Sequence, residues 1–127
     1  MNTQEAYENI REYFMRPDAA FSLDEDESSC VYRSPEGRKC AVGSVIPDSE
    51  YQSWMDGNDG LGSTQAEALS KVLDAVPSLK DVDREFLLEA QQAHDTCSFR
   101  TDSPVDPMEV FLGKLDSIAG AYGLKVA

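Results

Sequence analysis

Helix start and stop signals constrain this chain more tightly than any other feature. Asn2 stands three residues ahead of Glu5 in capping-box spacing, and Ala6, Ile10, Tyr13 and Phe14 form one apolar stripe, so a helix is expected over residues 3–15. Pro17 ends it. Thr64 and Glu67 open a second helix with Leu69, Val72, Leu73 and Val76 on one face, and Pro77 closes it. Asp81 or Asp83 begins a third, in which Phe86, Leu87, Ala90, Ala93, His94 and Cys97 recur at helical spacing. The last has Asp106 as cap, Pro107 at its first position and Glu109 completing the box. Val110, Phe111, Leu115, Ile118, Ala119 and Tyr122 follow, and Gly123 is the stop.

Between the first and second helices the pattern changes. Val31 and Tyr32 have strand propensity, Ser34-Pro35-Glu36-Gly37 fits a turn with Pro at its second position, and residues 40–46 resume an apolar run. This predicts a hairpin, with Gly43 marking a bulge or the close approach of another backbone. Pro47 removes a ladder donor and stops the pairing, and Asp48 caps a helical turn leading to Tyr51, Trp54 and Met55. The expected fold class is therefore α+β, mostly helical, with about four helices packed on one short antiparallel β-hairpin. At 127 residues the chain is the length of one domain, residues 1–127, able to bury a core without staples.

Charge narrows the function classes. The chain carries 24 acidic against 11 basic residues, a formal net of -13, which repels nucleic-acid phosphates, and Arg33, Arg38 and Lys39 are its only basic cluster. Direct nucleic-acid binding is disfavoured. The same charge attracts a protein with a basic surface, although solubility alone also accounts for it. Residues 17–29 read as an acidic, flexible loop, with Asp24, Glu25, Asp26 and Glu27 either solvated or presented to such a partner. Tyr51 and Trp54, with Asp48, are the further contact candidates, because large aromatics on loops are frequent interface anchors. The alternative is that they roof the core.

No apolar run approaches the roughly 20 residues needed to cross a bilayer, and the first residues lack a basic start and an apolar signal core. A cytoplasmic protein without membrane contact is expected. Three cysteines, an odd number, argue for reduced thiols rather than a disulfide framework.

Cys30, Cys40, His94 and Cys97 are the chemically suggestive groups, a conceivable Cys3His zinc set in which only His94 and Cys97 are tightly spaced. No other cofactor is expected. If the turn centres on Pro35 and Glu36, Cys30 and Cys40 are diagonal neighbours about 7–8 Å apart. That is too long for an unstrained disulfide, and a one-residue shift of register would change the pairing. A thiol-dependent enzyme would need Cys40 as nucleophile, His94 as base and Asp95 or Asp48 to orient it. No glycine-rich phosphate loop, serine elbow or metalloprotease motif is present.

The pattern formed by Cys30, Tyr32, Arg33, Gly37, Cys40, Ala41, Gly43, Ile46, Pro47, Asp48 and Tyr51, with His94 and Asp95 further on, resembles a family of small uncharacterised bacteriophage and prophage proteins. The resemblance brings no catalytic role. It implies an accessory factor made in the host bacterial cytoplasm that binds a host protein. An inhibitor of a nucleic-acid-handling or defence protein is one such factor, anti-CRISPR-like or acting as a nucleic-acid mimic.

Overall fold

Pairs of buried apolar residues three and four apart draw four α-helices onto one core in the computed structural model, which describes residues 1–22, 31–34, 36–56, 66–98 and 106–126. Helix α1 is Thr3–Phe14, α2 Ala66–Asp74, α3 Arg84–Ser98 and α4 Pro107–Ala121, and three short 3-10 turns lie at Gly43–Val45, Ser53–Asp56 and Pro77–Leu79. Helix α3 packs chiefly on α4, α1 on α4 and on the Gly43–Val45 turn, and α2 on α3.

The caps act as the sequence predicts. Asn2 Oδ1 accepts the Glu5 N–H at 2.8 Å while Glu5 Oε1 accepts the Asn2 N–H at 2.9 Å, so two of the unpaired donors at the start of α1 are satisfied. Asp83, rather than Asp81, caps α3 by accepting from Glu85 N–H at 2.9 Å. Asp106 accepts from Met108 N–H at 3.0 Å with Pro107 at the first position of α4. At its far end Leu124 N–H reaches the Ala119 carbonyl at 2.9 Å and Gly123 takes a φ of 73°, the left-handed residue of a Schellman stop. The expected Thr64 cap of α2 lies outside the described residues.

Helix α1 buries Ala6, Tyr7, Ile10 and Phe14, so Tyr7 replaces the expected Tyr13 in the apolar stripe, and Tyr13 stays half-buried at its edge. Tyr7 reaches full burial because its hydroxyl has a partner: it donates to Asp116 Oδ1 on α4 at 2.7 Å, and Arg11 Nε donates to the same oxygen at 3.0 Å. The carboxylate in turn raises the Arg11 pKa, chiefly through that hydrogen bond.

The α+β class is corrected: the described residues are helical and contain no strand. Among the described residues one isolated antiparallel bridge, Arg33 to Lys39, is all that forms of the expected hairpin, and Gly37 N–H donates to the Ser34 carbonyl at 2.9 Å. The second arm fails as a strand because its amides bond elsewhere. Ser44 N–H donates to the Cys40 carbonyl at 2.9 Å and Val45 N–H to the Val42 carbonyl at 3.0 Å, both helical contacts, while Val42 N–H donates to the Gln91 side chain at 3.0 Å. Cys40, Ala41, Val42, Val45 and Ile46 are all buried, where a half-buried strand would alternate. The apolar run is a core loop, and such short runs carry no period that distinguishes the two.

Gly43 sits where two backbones meet. A Cβ placed there would lie 2.4 Å from the Tyr32 carbonyl oxygen and 3.2 Å from Cys40 Sγ, so only glycine lets the turn close against residue 32.

Candidate functional site

His94 is built into the core rather than offered to a substrate. Its ring is fully buried among Phe21, Phe14 and Phe111, with centroid separations of 5.2, 5.7 and 6.2 Å. Ser22 N–H donates to Nε2 at 3.3 Å, which leaves the ring proton on Nδ1, where Asp95 Oδ1 accepts it at 3.0 Å. The same carboxylate oxygen accepts from Gln91 Nε2 at 2.8 Å, and Gln91 Oε1 accepts the Val42 N–H. Three neighbouring residues of α3 thus tie the 41–46 loop and the chain at Ser22 onto one helix. The Ser22–His94 and Val42–Gln91 bonds lie in the buried interior, where a lost partner is costly, while the Asp95 carboxylate that completes the set is partly exposed.

That arrangement decides the chemistry available to the Cys/His candidates. With Nε2 facing Ser22 and Nδ1 facing Asp95, neither ring nitrogen is left for a thiol or a metal ion. Cys40 is buried and its Sγ accepts the Gly43 N–H at 3.3 Å, and Cys97 is buried on α3. Among the described residues no three His, Cys, Asp or Glu side chains converge as metal ligands would. Cys30, the remaining member of the expected zinc set and of the expected disulfide, lies outside the described residues.

The contact candidates are distributed differently. Asp24, Glu25, Asp26 and Glu27 lie outside the described residues, although the start of their segment is anchored by Phe21 against His94 and by the fully buried Ser22. Asp48 and Tyr51 are brought together by Arg33. Its Nη1 donates to Asp48 Oδ1 at 2.6 Å, its Nη2 to the Ile46 carbonyl at 2.8 Å, and its guanidinium lies 4.6 Å from the centre of the Tyr51 ring. The Arg33 hydrogen bond, helped by the charge of Lys39 at 3.9 Å, holds the Asp48 carboxyl below the usual carboxylate range.

Nearby, Glu50 accepts from both the backbone N–H and the hydroxyl of Ser78, which lowers its pKa as well and pins residues 47–51 to the Pro77–Leu79 turn. Met55 plugs the core from the next turn. On this braced segment Trp54 remains 43% exposed, its indole N–H donating to Gln52 at 2.8 Å.

Gln91 and Arg33 organise these two regions, and sequence reasoning did not assign either role. Gln91 carried a signal, since it falls four residues after Leu87 and three before His94 in the buried phase of α3, and a polar residue at a core position implies a buried partner. Arg33 carried only its charge and its place in the Cys30–Tyr51 pattern, neither of which names a partner. No helix among the described residues is long and apolar enough to cross a membrane. No family model, no curated protein and no solved structure matches the chain.

Proposed function

We propose that this chain is a small acidic accessory protein of the phage type, acting in the bacterial cytoplasm by binding a host protein through that protein's basic surface, and that the bound protein is a nucleic-acid-handling or defence factor held inactive. The observation that carries the reading is the placement of Trp54, the chain's one tryptophan, exposed on a segment braced by Arg33 and Ser78 within a protein of net charge -13. An exposed tryptophan beside a braced segment is a typical anchor, and a net negative charge speeds encounter with a basic partner. Commitment of His94 and Gln91 to the fold weighs against the thiol-enzyme alternative.

The test is capture from bacterial lysate on immobilised protein at low and high salt, with wild type beside Trp54→Ala. A basic, nucleic-acid-handling protein that is retained at low salt, released at high salt and lost on Trp54→Ala is the expected result. Retention unaffected by both salt and Trp54→Ala would overturn the reading.

A further inference from the structure

Ser22 is a joint between three parts of the chain, and its hold on α3 runs through the ring of the one histidine. The residue is fully buried. Its carbonyl accepts the Val31 N–H at 3.3 Å, and its hydroxyl donates to the Arg38 carbonyl, also at 3.3 Å. The Arg38 carbonyl accepts the Ser34 N–H at 2.9 Å as well, so one oxygen joins Ser22 to the Arg33 to Lys39 bridge. What remains is the Ser22 N–H, which donates to His94 Nε2. Residues 22 and 31 flank the acidic run Asp24, Glu25, Asp26 and Glu27 in sequence.

The two nitrogens of His94 respond oppositely to a proton. In the neutral ring Nε2 is an acceptor facing a donor, and Nδ1 is a donor facing the Asp95 carboxylate. A proton added at Nε2 makes the ring a cation, which strengthens the contact with Asp95 but sets two N–H groups against each other at Ser22. A backbone N–H has no lone pair to turn toward the ring, so that bond has to break. Around the rest of the ring α1 presents Phe14, α4 Phe111 and the neighbouring chain Phe21, none of them charged. On α3 itself Ser98 Oγ stands 3.5 Å from Nδ1, and Asp95 is the charged group facing the ring among the described residues.

We propose that His94 is a pH-sensitive latch: on taking up a second proton the ring keeps Asp95 and lets go of Ser22, freeing residues 21–22 from α3 while the helical core stays in place. Helix α3 retains its packing on α4, and Gln91 retains the Val42 N–H. The latch works whatever the protein binds.

The test is an NMR titration of isotope-labelled wild type from about pH 8 to about pH 5, a range in which an imidazole titrates while carboxylates stay largely charged. Ring nitrogen shifts report tautomer and charge, and amide exchange corrected for its intrinsic pH dependence reports the Ser22 bond. At neutral pH the Nδ1–H tautomer is expected. At the midpoint of ring charging, Ser22 amide protection should then fall by at least about tenfold with the Val42 amide unchanged. His94→Gln offers a side-chain oxygen to the same N–H and takes up no proton, so its Ser22 protection should be flat over the range. A ring that charges while Ser22 stays protected overturns the latch, as does an Nε2–H tautomer at neutral pH or a ring still neutral at about pH 5. Should His94→Gln fail to fold, the wild-type titration decides alone.

Discussion

Gly43→Ala is the substitution on which the account of the core is most exposed. The added methyl would stand 2.4 Å from the Tyr32 carbonyl oxygen and 3.1 Å from its carbon, both backbone atoms that cannot rotate away. Relief requires one of two movements. Either residue 32 retreats, and the Arg33 to Lys39 bridge opens with it, or the Gly43–Val45 turn shifts outward and lengthens the bond from Val42 N–H to Gln91. Forcing one methyl into a packed core costs about 1–3 kcal/mol, and this contact is against backbone, so we expect the upper part of that range. Domains of this size have about 5–15 kcal/mol of stability in all, so the variant should fold. Its melting temperature should fall by about 10 °C, read by circular dichroism, with a matching drop in the urea midpoint. Gly113→Ala is the internal control, expected to gain about 0.5–1 kcal/mol because its Cβ meets nothing. A Gly43→Ala protein within about 0.5 kcal/mol of wild type would refute the argument that the turn is closed by direct backbone contact.

Two other perturbations probe the clamps. Gln91→Leu keeps the volume but strands the Val42 N–H and removes one donor from Asp95, which should cost about 1–3 kcal/mol and speed hydrogen exchange at the Val42 amide. Unchanged protection of that amide would contradict the network. Asp48 has a lowered folded-state pKa, so its contribution is present above the usual carboxylate range and fades as pH falls through the folded value. Asp48→Asn should therefore lower stability at neutral pH and shrink the gap to wild type in strong acid, measured as melting temperature against pH, whereas a constant gap would remove Arg33 and Lys39 as its cause.

Helix boundaries were legible because capping is local chemistry. Asn2 with Glu5, Asp106 with Pro107, and Gly123 as a left-handed stop each act within a few residues of themselves, and the structure uses all three. The hairpin was misread for the opposite reason. Residues 40–46 form a mainly apolar run, interrupted by Gly43 and Ser44, that serves equally as strand or core loop, and what decides is the distant Gln91 side chain taking the Val42 N–H 49 positions away. Gly43 was legible as a close approach of backbone. Its partner, Tyr32, was not.

The same division runs through the candidate sites. His94 stood out as the single histidine, yet its role depends on Ser22 and Asp95 occupying its two nitrogens, and residue type alone says nothing of that. Tyr7 stands three and seven residues before Ile10 and Phe14, in phase with the buried stripe, but the partner that lets its hydroxyl be buried, Asp116 of α4, is far away in sequence. Asp48 is a contact candidate by its charge and Tyr51 by its aromatic size, and the two do meet, but across the side chain of Arg33. Of that set the fold leaves Asp48 and Trp54 exposed and Tyr51 half-buried.

The most direct test of the proposed function is the salt dependence of affinity for the protein captured from lysate, measured by titration calorimetry with wild type and Trp54→Ala. Binding that weakens steeply and continuously as salt rises, with Trp54→Ala weaker at every concentration, is the predicted result. An affinity indifferent to salt, or one that Trp54→Ala leaves unchanged, would contradict it.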